Sequence, residues 1–339
     1  MNVKPKTIAP VEQPDDQVLD LALRPRSFPE YIGQENIKAN LNVIIGATKK
    51  RNEPLEHILL HGPSGLGKTT LAYLIAKELG ASLKTTSGTA LEKTGDVGSI
   101  LTSLNDGDVL FIDEVHRLNK SIEEVIYPAM ENFKLDIIIG KGSSAKTLQI
   151  DLPRFTLIAA TTKISLLSAP FRSRFGASFR LDFYKPEEIQ DILARSAKLL
   201  KVSVAPEAVQ VLANASRSTP RVANRLLKRV RDFAQMNDLE RIDAKIVRDS
   251  LKMLDVDDKG LEETDRKILL TIADKFNGGP VGLKSIAATI SEEEGTIEDV
   301  YEPYLLQIGF LARTSKGRII TSHGLKHLGL KPKEDSFEF

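Results

Sequence analysis

The feature that most constrains the fold is the segment GPSGLGKT, from Gly62 to Thr69. It follows the apolar run HILLH and leads into TTLAYLIAKEL, so the pattern predicts a buried strand, a glycine-rich turn and then a helix. In that arrangement the backbone N–H groups of the turn and of the helix N-terminus bind phosphate oxygens. We therefore predict a nucleotide-binding loop, whose residues at the phosphates are Gly65, Gly67, Lys68, Thr69 and Thr70.

Two side chains of this loop have distinct predicted roles. Lys68 is expected to reach the β- and γ-phosphates of ATP, and Thr69 to bind Mg²⁺ through its hydroxyl. A chance glycine-rich loop that contains a lysine is the alternative. Because a strand precedes the loop and a helix follows it, the sequence favours the nucleotide site.

A second informative segment is DVLFIDEVH, in which four apolar residues lead to Asp113 and Glu114. At the end of a buried strand beside a phosphate loop, Asp113 is expected to hold the magnesium ion. Glu114 is expected to orient and polarise the attacking water. The alternative is a pair of solvated acids at a strand end. The pair predicts hydrolysis of ATP rather than binding alone.

Two further segments supply candidate groups for the γ-phosphate. The apolar strand FTLIAATTK ends in Thr161 and Thr162, and either hydroxyl could bond the water or the phosphate as a sensor. Soon afterwards APFRSRFG contains Arg172 and Arg174. An arginine supplied by a neighbouring subunit could stabilise charge on the transferring phosphoryl group, and a surface salt bridge is the alternative.

The order of the elements predicts several domains. A chain of 339 residues has room for two or three domains of about 150 residues. Strand-like and helical stretches alternate over roughly residues 20–183, which predicts a doubly wound parallel sheet, and the following region is helical. We expect a flexible tail at 1–20, an α/β ATPase domain at 21–183, a helical lid at 184–256, a winged-helix head at 257–333 and a tail at 334–339.

The boundary between lid and head carries the acidic segment DVDDKGLEE, around Asp255 to Glu263. It contains a glycine and lacks a periodic apolar face, so it predicts a linker. Three helical stretches follow it, near 263–275, 283–290 and 296–308. Two short strand candidates then flank the turn at 315–317. Helix, helix, helix, ribbon is the order of a winged-helix module.

Composition narrows the class of protein further. The chain has no cysteine, which excludes disulfides, a thiolate nucleophile and a cysteine metal site. It has no apolar run of signal-peptide length near its start and no stretch of ~20 apolar residues, so we expect a cytoplasmic protein that does not engage a membrane. Its net charge is only +1, and any contact with an anionic polymer must therefore be local.

The segment GFLARTSKGRIIT is the best candidate for such a contact. Two short strands around the turn 315–317 would project Arg313, Lys316 and Arg318 into solvent. From Gly309 to Lys333 there are six lysines and arginines and no acidic residue. A basic ribbon of this kind would bind backbone phosphates without reading sequence, and a merely solvated ribbon is the alternative.

The segment LDIIIGKGSSAKTLQIDLP contains two alternating apolar runs on either side of a turn at 140–144. It predicts a hairpin inserted before the sensor strand. The hairpin has more apolar surface than an isolated ribbon should leave in water. For Ile137 and Ile139, packing on their own domain is left open, whereas Leu148 and Ile150 are the better candidates for a partner surface.

Taken in order, the phosphate loop, FIDEVH, AATT, RSRFG and STPRVANRLLKRVRDFA resemble the AAA+ ATPases. Within that class the chain closely resembles the RuvB family, from about Leu23 to Leu330. RPRSFPEYIGQENIKANL, EEVIYPAMENFKLDIIIG and GFLARTSKGRIIT are specific to that family. The resemblance implies an ATP-dependent DNA translocase, a hexameric ring that drives branch migration of Holliday junctions in recombination and repair.

The same resemblance implies partners and further site residues. RuvA would dock on the hairpin, and RuvC would join a resolvase complex on double-stranded DNA at the junction. Arg174 matches the trans-acting finger better than Arg172, while Arg313 and Arg318 match the DNA-contacting pair. The implied nucleotide contacts are Leu23, Arg24 and Tyr184 around adenine and ribose, Arg221 as second sensor, and Glu131, Asn132 and Phe133 across the subunit interface.

Three positions depart from the family pattern. Asn132 stands where an acidic residue is usual, and Ser218 and Ala159 stand where glycine is common. None of them removes a group needed for hydrolysis. The alternative function is a nucleotide-switched DNA-binding module of replication-initiator type, since such proteins also join an AAA+ core to a winged helix. The inserted hairpin and the LARTSKGR segment favour the motor.

Overall fold

The computed structural model describes residues 22–139 and 146–331, which fall into two compact units. One unit is Arg24–Phe183, and the other comprises residues 22–23 and 184–331. The predicted tails at 1–20 and 334–339 and the predicted turn at 140–144 lie outside the described residues. Within those residues, no helix is both long and apolar enough to cross a membrane.

The first unit is built on a parallel five-stranded sheet, so the predicted doubly wound α/β core is confirmed. In spatial order the strands are β2 (Leu83–Ser87), β3 (Val109–Asp113), β6 (Thr156–Thr161), β1 (Ile58–His61) and β7 (Ala177–Arg180). Its helices are α1 (Glu35–Arg51), α2 (Lys68–Leu79), α3 (Thr94–Thr102), α4 (Lys120–Asn132) and α5 (Ala169–Arg172), with short 3₁₀ turns at Phe28–Glu30, Val115–Arg117 and Ile164–Leu166.

The three central strands are almost wholly buried. Every residue of β6 is buried, as are the first four residues of β3 and the first three of β1. A parallel strand covered on both faces needs a continuous apolar run, which is what HILLH, VLFID and TLIAAT supply. The polar residues that end each run therefore lie at one edge of the sheet.

The predicted hairpin is present between α4 and β6. Strands β4 (Lys134–Ile139) and β5 (Lys146–Asp151) pair antiparallel, with Leu135 opposite Ile150. Leu135 is buried in the core of the first unit, so the base of the hairpin is anchored there.

The second unit combines the predicted lid and head. The lid helices are α6 (Pro186–Leu199), α7 (Pro206–Asn214), α8 (Pro220–Met236) and α9 (Ala244–Met253), with a short parallel pair β8 (Ser203–Val204) and β9 (Arg241–Ile242). The head contains α10 (Glu263–Leu270), α11 (Leu283–Ile290), α12 (Glu294–Thr296), α13 (Glu302–Gln307), the ribbon β10 (Leu311–Thr314) and β11 (Gly317–Ile320), and α14 (Ser322–His327).

The head has the predicted order of helices and ribbon, with two local differences. Wider π turns follow α10 at Thr271–Lys275 and α12 at Ile297–Tyr301, where regular helix was expected. In addition, Val281 and Arg318 exchange two backbone hydrogen bonds of 2.9 and 2.8 Å, which adds a third strand position to the ribbon.

The expected linker between lid and head is instead a packed junction. Leu261 is fully buried, and a Cβ atom on Gly260 would lie 2.3 Å from the carbonyl oxygen of Ala215. Arg217 Nη1 donates to Asp265 Oδ2 at 2.5 Å, and the Arg217 guanidinium lies 4.7 Å from the ring centre of Tyr304. Burial alone would lower the pKa of Arg217, but the Asp265 carboxylate outweighs it and raises that pKa.

Breaking this buried pair should destabilise the second unit. Asp265→Ala leaves the Arg217 cation buried without its carboxylate, and we expect a loss of about 3–5 kcal/mol in the free energy of unfolding. Urea denaturation followed by circular dichroism measures it. Asp258→Ala, at an exposed position of the same junction, is the control and should change stability by less than about 0.5 kcal/mol. Equal stability of the two variants would contradict a structural role for the pair.

Candidate active site and nucleic-acid interface

The phosphate loop depends on glycines at its two turns. Gly62 and Gly67 have φ values of 137° and 96°, in the region that other residues rarely adopt. A Cβ atom on Gly62 would lie 2.4 Å from the carbonyl oxygen of Leu181, and one on Gly67 would lie 2.8 Å from the Tyr31 hydroxyl. The loop can therefore close against its surroundings only with glycine at these positions.

Lys68 begins α2 and is buried beneath the loop. Its Nζ donates to the carbonyl oxygens of Gly62 and Pro63, each at 2.8 Å. The ammonium group is thus held at the centre of the loop by acceptors that phosphate oxygens can replace.

Thr69 and Asp113 meet across the sheet edge. The Thr69 hydroxyl donates to Asp113 Oδ2 at 3.1 Å, and Asp113 Oδ1 accepts the backbone N–H of Glu114 at 2.9 Å. A hydroxyl and a carboxylate are the oxygen ligands that Mg²⁺ prefers. The donor set therefore fits the ion predicted here.

Glu114 follows β3 in a left-handed conformation, with φ of 47°, a region that residues other than glycine rarely adopt. Its Oε2 accepts from the Thr162 hydroxyl at 3.4 Å and lies 3.3 Å from His116 Nδ1. Burial, followed by the charge of Asp113, raises the pKa of Glu114. A carboxylate with a raised pKa is a stronger base at neutral pH.

The two candidate sensor threonines have different surroundings. Thr161 is fully buried, and its hydroxyl lies 2.9 Å from His116 Nδ1 and accepts the backbone N–H of Lys163. Of the two, Thr162 bonds Glu114 directly, so its hydroxyl is the one beside the predicted base. His116, two residues after Glu114 in DEVH, is a site residue that sequence reasoning missed, although it lay within the quoted motif.

Arg174 forms an ion pair within its own unit. Its Nη2 lies 3.0 Å from Glu131 Oε1, Nη1 donates to the Pro170 carbonyl at 2.5 Å, and the guanidinium lies 4.3 Å from the ring centre of Tyr127. Arg172, by contrast, is exposed. The structure therefore brings together two predicted site residues, Arg174 and Glu131, in a contact that the sequence did not predict.

Asn132 and Phe133 complete the segment that Glu131 begins. Asn132 is exposed and ends α4, and Phe133 follows in a left-handed conformation and is half-buried against the core.

The other residues that are predicted to contact the nucleotide are divided between the two units. Arg24 belongs to the first unit, where its guanidinium lies 5.9 Å from the ring centre of Tyr73. Leu23 and Tyr184 are buried in the second unit, and the Leu23 carbonyl accepts from Arg195 Nη1 at 2.8 Å. Arg221 lies exposed on the first turn of α8. These roles stay predictions.

The sequence predicts that the ribbon of the head projects Arg313, Lys316 and Arg318 into solvent. The structure differs, because two of these cations are paired with carboxylates. Arg313 and Arg318 are directly opposite each other, and both form hydrogen bonds of 2.9–3.1 Å with the buried carboxylate of Glu302. Arg313 also bonds Glu298 at 2.8 Å. Burial would raise the pKa of Glu302, but the two guanidinium groups outweigh it and lower that pKa.

Exposure separates the three basic residues of the ribbon. The side chain of Arg318 is only 16% exposed, whereas that of Arg313 is 49% exposed and Lys316 is exposed at the tip. Arg313 and Lys316 are therefore the ribbon cations most accessible to a polyanion, and Arg318 helps to fix the Glu302 carboxylate.

The two candidate docking residues of the hairpin also differ. Leu148 is 49% exposed, whereas Ile150 is half-buried and packs against the core of the first unit. Leu148 is consequently the more accessible of the two.

Comparison with known proteins agrees with this arrangement along the whole described chain. The family models "Holliday junction DNA helicase RuvB P-loop domain", "RuvB AAA lid domain" and "RuvB C-terminal winged helix domain" match residues 23–181, 184–257 and 258–329. The chain belongs to the RuvB family. The resemblance seen in its motifs is thereby confirmed, and it is a P-loop AAA+ ATPase.

Solved RuvB structures match closely as well. The structure of the Thermotoga maritima RuvB Holliday junction branch migration motor matches with 50% sequence identity and a TM-score of 0.85, over 92% of this chain and 100% of that one. Two single-substitution variants of that protein, also 50% identical over 92% of this chain, match with TM-scores of 0.85 and 0.84 over 100% and 99% of theirs. Matches to RuvB in all three domains argue against the replication-initiator alternative.

The contact between Thr162 and Glu114 predicts a change in the pH dependence of turnover. Glu114 must be ionised to act as a base, so turnover should rise with pH through its pKa. The Thr162 hydroxyl lowers that pKa by donating to the carboxylate. In Thr162→Val this acid limb should therefore move to higher pH, and turnover should fall about tenfold or more.

Steady-state ATP hydrolysis measured from pH 5 to 9 tests this expectation. Thr162→Ser retains the hydroxyl and is the matched control, so its profile should resemble that of the unsubstituted protein. Superimposable profiles for Thr162→Val and Thr162→Ser would contradict the assignment.

Proposed function

We propose that this protein is an ATP-driven motor that moves duplex DNA at Holliday junctions as a hexameric ring, in recombination and DNA repair. The observation that carries the proposal is the cluster of Thr69, Asp113, Glu114 and Thr162 behind the phosphate loop. This cluster belongs to a chain whose lid and winged-helix regions also match RuvB.

Within one subunit, different residues would bind the phosphates, hold the metal ion and accept the proton. Lys68 would exchange the carbonyl oxygens of Gly62 and Pro63 for the β- and γ-phosphate oxygens of ATP. Thr69 and Asp113 would hold Mg²⁺, which when bound neutralises charge on those oxygens. Glu114, oriented by Thr162, would accept a proton from the attacking water.

Arg174 would act on the nucleotide of a neighbouring subunit. Its guanidinium is fixed by Glu131 and Tyr127, so little side-chain freedom is left to lose when it meets a phosphoryl group. An arginine in that position stabilises the charge that develops on the transferring group.

The DNA and protein partners would be bound away from this cluster. Arg313 and Lys316 of the head would bind backbone phosphates, and Leu148 would contribute to the surface on which RuvA docks. RuvC would join the same junction complex, as implied by the family resemblance.

Replacing Glu114 tests the hydrolytic mechanism. Glu114→Gln keeps the size of the side chain but removes the base, so ATP binding should persist while turnover falls about 10²–10⁴-fold and junctions are no longer moved. Nucleotide affinity, steady-state hydrolysis and junction migration with RuvA should be measured on the same preparation. Glu124→Gln, an exposed position on α4, is the control. Near-normal turnover in Glu114→Gln would remove Glu114 from this role.

Salt dependence tests the DNA contact. Each phosphate contact contributes about 0.9 to the slope of log K against log salt, so Arg313→Ala or Lys316→Ala should flatten the slope by about that amount per engaged subunit. Titrations on two unrelated duplexes measure the slope and should show no sequence preference. Lys245→Ala removes an exposed lysine from the lid and should leave the slope unchanged. A slope that falls equally in all three variants would indicate only an effect of net charge.

A further inference from the structure

His57 is a buried histidine directly before β1, and it has no role in the mechanism above. Its Nδ1 accepts the backbone N–H of Leu157 in β6 at 2.9 Å. Its Nε2 lies 3.0 Å from the carbonyl oxygen of Met130 near the end of α4. Because Nδ1 is an acceptor, the ring proton is on Nε2 and is donated to Met130.

The tautomer of this ring is therefore fixed, and the ring joins two elements of the first unit. Burial lowers the pKa of His57, which keeps the ring neutral and Nδ1 available to Leu157. The ring centre also lies 5.7 Å from that of Phe155 and 6.5 Å from that of Phe133. Helix α4 is thus held against the strand that leads into the phosphate loop.

The main chain of His57 makes a second connection. Its carbonyl oxygen accepts the backbone N–H groups of Gly176 and Ala177, at 3.0 and 3.4 Å. Gly176 is two residues after Arg174. One residue therefore holds the loop of the arginine through its carbonyl and the end of α4 through its ring.

These two connections converge on one ion pair. Met130, which accepts from the ring, immediately precedes Glu131, and Glu131 lies 3.0 Å from Arg174. A shift of α4 would move Glu131 relative to Arg174, because the loop of Arg174 is tied separately to the His57 carbonyl.

We propose that His57 is a positioning residue for the trans-acting arginine. It fixes the positions of Glu131 and Arg174 relative to the sheet of their own subunit. The proposal rests on the proposed role of Arg174 toward the neighbouring nucleotide. His57 does not touch the nucleotide, and it acts through Met130 and the loop after Arg174.

Two amide substitutions separate the functions of the ring nitrogens. In His57→Gln the side-chain amide can reach the position of Nε2 and still donate to Met130. In His57→Asn the shorter amide can accept from Leu157 but cannot reach Met130. We expect ATP turnover by the assembled ring to fall about tenfold to a hundredfold in His57→Asn and much less in His57→Gln.

Mixed rings then show whether His57→Asn impairs the subunit's own nucleotide site or the arginine that it supplies to its neighbour. His57→Asn subunits have an intact phosphate loop, so mixing them with Lys68→Ala subunits, which supply an intact arginine, should restore turnover. Mixing them with Arg174→Ala subunits should not, because one kind of subunit in that mixture has a displaced Arg174 and the other has no arginine at that position. The Arg174→Ala and Lys68→Ala mixture is the reference for full recovery.

The outcomes distinguish this proposal from the one on which it rests. No recovery in the reference mixture, although mixed rings form, would contradict the trans role of Arg174 itself. If the reference mixture recovers turnover, the two His57→Asn mixtures should differ from each other. Equal recovery of both, or failure of both, would overturn positioning by His57. Loss of ATP binding by His57→Asn subunits, or equal turnover of His57→Asn and His57→Gln, would also overturn it and indicate a general structural role.

Discussion

Parallel pairing of β1, β3 and β6 is the constraint on which the rest of the site depends. His61 is paired with Thr161, and Ile112 with Ala159, so the residues that follow these strands emerge at one edge of the sheet. The phosphate loop, the acidic pair and the two threonines are far apart in sequence, yet the register brings them together. A shift of one residue in β3 or β6 would turn Asp113 or Thr161 to the opposite face.

Several cations to which the proposed function assigns a role are held by acceptors of the protein itself. Lys68 bonds two loop carbonyls, Arg174 pairs with Glu131, and Arg313 and Arg318 share Glu302. Such contacts fix the direction of each charge before a phosphate arrives, which reduces the conformational entropy lost on binding. They also compete with the phosphate, so binding at each position is an exchange of acceptors.

The sequence predicted those parts of the structure that depend on local patterns. An apolar run followed by GPSGLGKT or by DEVH indicates a strand and its functional end without reference to the rest of the chain. It could not predict the pairs that are formed over long separations in sequence, such as His116 with Thr161, Arg217 with Asp265 and Arg318 with Glu302. For the same reason the sequence predicts a linker in the acidic segment around Asp257, because the composition of this segment is that of a loop while its packing partners lie far away in sequence.

That packed junction also connects the predicted second sensor with the head. Arg221, the predicted second sensor, is four residues after Arg217, whose guanidinium is buried against Asp265 and Tyr304 of the head. Gly260 packs closely against the carbonyl group of Ala215, two residues before Arg217. A hinge at this place would have to separate a buried cation from its carboxylate, which is far more costly than bending a solvated linker. The start of α8 and the head are therefore joined by buried contacts rather than by a flexible linker, and the head includes the ribbon that carries Arg313.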